Sequence, residues 1–252
     1  MASVHARRAT GALLAVVAAV ALGSPAQAVA HGTPVPEGRY RFAVKLTMTG
    51  IPAPDGSTYD SACTGALIAR RWVITAGHCF HDVDRNPVSG PVPYQTTATI
   101  GRTDDADTGG YVLPVVEVQQ SPVNDIAILR LARPVRGIRP LAIATREPRV
   151  GQFLRLTGWG SLDLTPVPAT HLQTGQVVIS SVAETTLGVR GYAPEPDTSA
   201  CLYDSGAPYF LRRHGRYVLV AVENDGPDCP HALEETTARV DILTSWLGEY
   251  LS

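Results

Sequence analysis

The apolar positions of this chain fall into short runs, each about as long as a β-strand and bounded by turn residues. The clearest runs cover residues 42–48, 62–69, 72–76, 96–100, 111–118, 126–131, 153–157, 174–179 and 217–222. Several of these runs alternate between apolar and polar residues, which is typical of a strand with one buried face. Short strands at this spacing predict an all-β barrel or sandwich.

The C-terminal end of the chain has a different pattern. Its apolar residues recur at intervals of three and four positions, at Val240, Leu243, Trp246, Leu247, Tyr250 and Leu251. That spacing places them along one face of a helix. The sequence therefore predicts a terminal amphipathic helix after a series of strands.

Composition narrows the possible functions. The chain has 252 residues, of which 44% are hydrophobic, so it can bury the core of one or two domains. A formal net charge of −2 argues against a nucleic-acid partner and against an electrostatic membrane anchor. The sequence contains neither a phosphate-binding loop nor a dinucleotide fingerprint.

The first 28 residues have the pattern of a secretory signal peptide. Arg7-Arg8 supplies a positive region, residues 11–22 form an apolar run, and Ala26-Gln27-Ala28 is a small-residue cleavage site. A membrane anchor is the alternative, but no second apolar segment follows. We therefore expect a secreted, extracellular protein. In that oxidising setting its four cysteines would form two disulfides, with three pairings open.

Three residues in separate segments are candidates for nucleophilic catalysis. His78 follows the run 72–76, Asp125 precedes the run 126–131, and Ser205 lies between Asp204 and Gly206. A serine needs a neighbouring base to become nucleophilic, and the base needs a third group to orient it. Each residue alone also has a structural explanation, in a turn or at a strand end. Together, and in this order, they indicate a His-Asp-Ser triad.

The segments 63–79, 124–129 and 201–208 resemble those of the trypsin/chymotrypsin-like serine proteases, and the resemblance extends over residues 29–252. It implies two six-stranded antiparallel β-barrels with the active site between them and a C-terminal α-helix. The N-terminal barrel, residues 29–140, would carry His78 and Asp125. The C-terminal barrel, residues 141–252, would carry Ser205 and the helix. The resemblance also implies the disulfides Cys63–Cys79 and Cys201–Cys229.

The resemblance assigns roles to the triad: Ser205 is the nucleophile, His78 the general base and then acid, and Asp125 the orienting group. The oxyanion hole would use the backbone N–H groups of Tyr203 and Ser205. The family has glycine where this chain has Tyr203 and Ala207. A side chain at 203 disfavours the turn if φ must be positive. Two hypotheses stay open: an active endopeptidase with a narrowed cleft, or a binding module with a disabled hole.

In the resembling family a newly exposed N-terminus pairs with the aspartate before the catalytic serine. Here Val29 follows the predicted cleavage site directly, so signal cleavage itself would release an ammonium group to pair with Asp204. Cleavage after Ala30 is the alternative, and it would remove the pairing.

The resemblance places Ser199 at the base of the primary pocket, which favours an apolar or aromatic residue before the scissile bond. Asn224 and Gly226 replace part of the strand that binds substrate backbone. Glu235 lies in the pocket wall, where a carboxylate would restore a basic preference or block the pocket. Specificity therefore stays open between these outcomes.

The same sequence predicts no cofactor, and no zinc site, because His78 and His81 lack further ligands. Calcium is a weaker alternative at Asp104, Asp105 and Asp107, or at Asp82, Asp84 and Asn86. The expected partners are protein or peptide substrates and protein protease inhibitors. We expect a monomer with no nucleic-acid partner and, after signal cleavage, no membrane attachment.

Overall fold

The computed structural model describes residues 29–251 together with Met1, and the predicted signal peptide otherwise lies outside the described residues. The described chain is built mostly of strands: β1 Thr33–Pro34, β2 Ala43–Pro52, β3 Thr58–Ala69, β4 Trp72–Ala76, β5 Gly90–Pro91, β6 Gln95–Ile100, β7 Tyr111–Gln120, β8 Ile126–Leu131, β9 Ala142–Ile143, β10 Phe153–Gly158, β11 Gln173–Val182, β12 Thr186–Ala193, β13 Pro208–Arg213, β14 Arg216–Asp225 and β15 Glu235–Arg239. A 3₁₀ turn, Asp241–Leu243, leads into the helix α1, Thr244–Tyr250.

The first sheet closes on itself. Its strands run in the order β2, β3, β4, β8, β7, β6, all antiparallel, and β6 pairs back with β2. The short β5 adds only to the edge of β7. The result is a closed six-stranded antiparallel barrel, which leaves few free backbone groups at a sheet edge.

The second sheet closes in the same way. Its strands run β10, β13, β14, β15, β12, β11, and β11 pairs back with β10. Two short strands extend it, since β1 pairs with β11 and β9 lies parallel to β14. The predicted fold class, two six-stranded barrels followed by a short terminal helix, is confirmed.

The predicted apolar runs correspond to nine of these strands. Their alternating residues fill the barrel interiors, as Leu46, Ile74 and Ile128 do in the first barrel and Leu156 and Val177 in the second. The predicted boundary at residue 140 falls between β8 and β9, although β1 pairs across it with the second barrel. Among the described residues, no helix combines the length and apolar character that crossing a membrane requires.

Candidate active site

Pairing of β4 with β8 determines where His78 and Asp125 lie. Ala76 pairs with Ile126, so the residues just beyond that end of the ladder come together. The 3₁₀ turn Gly77–Cys79 then directs the histidine towards the aspartate. Nδ1 of His78 lies 2.7 Å from Oδ2 of Asp125, and the His78 backbone N–H donates to Oδ1 at 2.7 Å. The carboxylate thus holds both the ring and the backbone of the histidine.

The Asp125 side chain is only partly buried. It is 41% exposed, and that of His78 is 47% exposed. Partial burial acts to raise the pKa of Asp125. Hydrogen bonds from His78, and one from Asn224, outweigh that effect and hold the pKa below its usual value.

Asn224 contacts the aspartate from the second barrel. Its Nδ2 donates to Oδ2 of Asp125 at 2.7 Å and to the Asp125 carbonyl oxygen at 2.6 Å. The sequence predicted Asn224 as a substrate-binding residue, and it also lines a pocket beside Ser205. Its side chain, however, is held against Asp125, a contact that sequence reasoning missed because it joins residues of two different barrels.

Ser205 lies on the tight loop that precedes β13. The loop turns at Gly206, where φ is +87°, and a Cβ there would collide with Thr75 Oγ1 and the Thr64 carbonyl oxygen. The Thr64 N–H donates to the Ser205 carbonyl oxygen at 2.9 Å, which ties this loop to the first barrel. Ser205 is therefore held at the junction of the barrels, on the same side as His78.

Two clefts meet at Ser205. One, the histidine cleft, is lined by His78, Tyr203, Ser205 and the first disulfide, Cys63–Cys79. The other, the acidic pocket, is lined by Leu164, Ala200, Cys201, Leu202, Tyr203, Ser205 and residues 223–229. The structure thus brings Ser205 and His78 to one cleft, with a second pocket on the other side of the serine.

Tyr203 adopts the left-handed conformation that glycine favours, with φ at +72°. Its hydroxyl donates to the Pro166 carbonyl oxygen at 3.1 Å, and its own carbonyl accepts from Thr64 Oγ1. Within residues 29–251, the backbone N–H groups of Tyr203 and Ser205 donate to no protein acceptor. Both donors are therefore available to a ligand beside the Ser205 hydroxyl.

Asp204 is fully buried behind this loop. Gly160 N–H donates to Oδ1 at 2.8 Å and Cys201 N–H to Oδ2 at 3.1 Å. A Cβ at Gly160 would collide with the carboxylate, so only glycine allows this approach. Burial raises the pKa of Asp204 to about 7, against the hydrogen bonds of Gly160, Cys201 and the Val29 backbone N–H. Val29 itself is fully buried.

The remaining predicted pocket residues lie at different depths. Gly226 lines the acidic pocket together with Asn224. Ser199 and Glu235 lie beneath the lining and are 1% and 2% exposed. Glu235 Oε1 accepts from the Ala200 N–H at 2.6 Å, which ties it to the pocket floor. Its neighbour Glu234 is exposed.

Both predicted disulfides are present, Cys63–Cys79 and Cys201–Cys229. The first encloses the segment that leads to His78, and the second joins the Ser205 loop to the end of the acidic pocket.

The family model for trypsin matches residues 29–247. The chain belongs to the trypsin family. Its relatives include transmembrane protease serine 9 of Rattus norvegicus, 30% identical over 214 residues, which cover 75% of this chain and 19% of the relative. Serine protease 56 of Mus musculus is 26% identical, with coverage of 89% and 39%. Kallikrein 1-related peptidase b26 of Mus musculus is 28% identical, with coverage of 67% and 71%.

This trypsin-family chain therefore spans well under half the length of the first relatives it matches.

The structure gives little support to the predicted calcium alternative. The carboxylates of Asp104, Asp105 and Asp107 are held by His171, Lys45 and the Thr103 backbone respectively. Among the described residues, no cluster of three His, Cys, Asp or Glu side chains is arranged to hold a metal ion.

Proposed function

We propose that this protein is a secreted serine endopeptidase that cleaves peptide bonds through an acyl-enzyme on Ser205. The observation that carries the proposal is the 2.7 Å contact between His78 Nδ1 and Asp125 Oδ2, with His78 and Ser205 lining one cleft. Membership of the trypsin family supports the same chemistry. Protein or peptide substrates and protein inhibitors are its proposed partners, and a monomer its proposed state.

In this mechanism Asp125 fixes the His78 tautomer that carries a proton on Nδ1, which leaves Nε2 free to accept one. Nε2 takes the Ser205 hydroxyl proton as Oγ attacks the scissile carbonyl carbon. The oxyanion that forms accepts hydrogen bonds from the N–H groups of Tyr203 and Ser205. His78 then passes the proton to the leaving amine, and water releases the acyl group by the same steps. No metal or cofactor takes part.

Cleavage of the signal peptide after Ala28 is proposed as the activating event. The Val29 backbone N–H acts to lower the pKa of buried Asp204, so a free ammonium at that position would face a carboxylate. The ion pair would fix the loop that carries the N–H donors of Tyr203 and Ser205. Secreted protein that begins at His31 instead would rule out this route.

The test is intact-mass analysis of the secreted protein before and after treatment with a fluorophosphonate that labels activated serines. We expect a mature chain that begins at Val29 and gains one adduct, which is absent from Ser205→Ala. Labelling of Ser205→Ala at the same rate would contradict the assignment of the nucleophile. An unlabelled protein that begins at Val29 would favour the alternative hypothesis, a binding module with a disabled oxyanion hole.

A further inference from the structure

The proposed mechanism uses neither of two glutamates that are buried beneath the acidic pocket. Glu223 on β14 is 4% exposed and lines the pocket, whereas Glu235 on β15 is 2% exposed and lies behind it. The Tyr209 hydroxyl on β13 lies 2.7 Å from Glu223 Oε2 and 2.6 Å from Glu235 Oε2. We call Glu223 and Glu235 the carboxyl pair and Tyr209 its bridge.

The hydrogen count of this group requires an extra proton. The tyrosine has one hydroxyl hydrogen, and an ionised carboxylate can only accept. Two short contacts to one hydroxyl oxygen therefore need a second hydrogen, carried by one of the two glutamates. Burial raises the pKa of Glu235 to about 7 and that of Glu223 well above its usual value, and each charge disfavours the other. Near neutral pH the pair thus shares one proton and has one negative charge.

The groups that face the pair do not neutralise this charge. Asp204 and Asp225 are acidic, and both disfavour ionisation of Glu223. His231 Nε2 lies 3.5 Å from Glu235 Oε1, but burial lowers the pKa of His231, so it is neutral at the same pH. No Lys or Arg of the described chain forms an ion pair with either glutamate.

One carboxylate oxygen of the pair is free to bind a ligand. Both oxygens of Glu235 and one of Glu223 have hydrogen-bond partners, but Glu223 Oε1 has none among the described residues. The rim of the same pocket adds Asp225 and Asp228, and its described lining contains no basic residue. The pocket beside Ser205 is therefore acidic from its rim to its floor.

Building on the proposed function, we propose that Glu223 makes the acidic pocket specific for a cationic side chain, arginine or lysine, immediately before the scissile bond. We further propose that the bound cation displaces the proton shared by Glu223 and Glu235. The neighbouring glutamate and the tyrosine hydroxyl hold Glu223 in place as positioning residues. Ser199, which the sequence placed at the pocket base, would not contact the cation.

Ligand binding can be measured without catalysis in a Ser205→Ala chain that begins at Val29. The probes are n-butylguanidinium, which reproduces the arginine side chain, and n-butylurea, its neutral counterpart, titrated by NMR at pH 6 and pH 8. A charge-assisted hydrogen bond should favour the guanidinium at pH 8 by at least about tenfold in Kd. Because each bound guanidinium displaces one proton, the Kd of the guanidinium should fall at least about tenfold from pH 6 to pH 8. The guanidinium itself does not titrate in this range.

Glu223→Gln should weaken guanidinium binding at least about tenfold and reduce its pH dependence. The matched control Glu234→Gln, an exposed neighbour outside the pocket lining whose carboxylate contacts Ser180 and Ser181, should behave like the parent chain. Equal Kd values for the two probes in the parent chain, or an unchanged Kd in folded Glu223→Gln, would overturn the proposal. If Glu223→Gln does not fold, the guanidinium-to-urea ratio and its pH dependence in the parent chain decide alone.

Because these measurements do not use Ser205, failure of the proposed catalysis leaves them interpretable. In a chain that Ser205 labelling shows to be active, substrates with arginine before the scissile bond should exceed matched citrulline substrates at least about tenfold in kcat/KM. A labelled enzyme that hydrolyses both equally would overturn the pocket inference while the proposed function stands.

Discussion

The environment of Asp204 predicts that a residue added before Val29 makes the folded protein lose stability as pH rises through about 7. In a chain with an added glycine before Val29, the valine nitrogen is an amide and Asp204 has no cationic partner. Burial then keeps its pKa at about 7, whereas an unfolded aspartate titrates near 3.9. A chain that begins at Val29 instead has an ammonium beside the carboxylate, which holds Asp204 ionised.

The magnitude follows from linkage. In the extended chain the folded state binds the Asp204 proton more tightly than the unfolded state does. This contribution to stability is fully present below about pH 4 and is lost as pH rises through about 7. A difference of about three pKa units corresponds to about 4 kcal/mol over the whole range, of which about 2.5 kcal/mol falls between pH 5 and pH 7.5.

The assay is urea unfolding of the two chains at pH 5 and pH 7.5, each in the Ser205→Ala background. Titrating groups that do not interact with Asp204 are common to both chains and cancel in the comparison. We expect the extended chain to lose about 2.5 kcal/mol more between the two pH values than the chain that begins at Val29. Asp204→Asn in both chains should remove the difference. Equal pH dependence in the two chains would refute the ion pair.

Three further predictions concern residues around the triad and Asp204. Asn224→Ala should lower kcat/KM about tenfold because it removes a hydrogen bond to the Asp125 carboxylate. Such a bond to a charged group contributes about 1.5–3 kcal/mol, and the partial solvation of Asp125 places the effect at the lower end. The control Asn86→Ala, in a surface turn, should leave kcat/KM unchanged. Tyr203→Gly should stabilise the fold by up to about 1 kcal/mol because glycine tolerates the positive φ at this position. Hydrolysis of a small ester should change less than tenfold. A gain above a hundredfold would mean that the oxyanion hole of the natural protein is compromised. Gly160→Ala should lower the free energy of unfolding by about 3 kcal/mol because the added methyl group collides with Asp204. The control Gly248→Ala, which has open space around it in the terminal helix, should not destabilise the fold.

The apolar runs predicted nine strands because their alternation reflects one buried face. Six strands were not predicted: the two-residue strands β1, β5 and β9, and the barrel strands β12, β13 and β15. Strand β15 has the sequence Glu-Thr-Thr-Ala-Arg, which is too polar to indicate burial. Its place in the second barrel depends on pairing with β12 and β14, which are distant in sequence. Local pattern cannot report a strand whose burial is produced by its partners.

The same limit applies within the site. Local segments around His78, Asp125 and Ser205 were sufficient to single out those residues. The contact of Asn224 with Asp125 and the bridge of Tyr209 between two glutamates join residues 99, 14 and 26 positions apart. Polar residues at such positions read as solvated until their partners are known. The exposure of Asp125 likewise depends on which loops cover it.

The second barrel therefore contains three buried carboxyl groups, Asp204, Glu223 and Glu235, whose charges disfavour one another. Such a cluster is costly in a dry interior unless cations reach it or protons remain bound. The Val29 ammonium would neutralise Asp204 from one side, and a cationic substrate side chain would neutralise Glu223 from the other. An ionised Asp204 without a cationic partner disfavours ionisation of Glu223, and the Val29 ammonium would offset that charge, so above about pH 7 the two cations should bind cooperatively. At pH 8 a chain that begins at Val29 should accordingly bind n-butylguanidinium more tightly than the extended chain does.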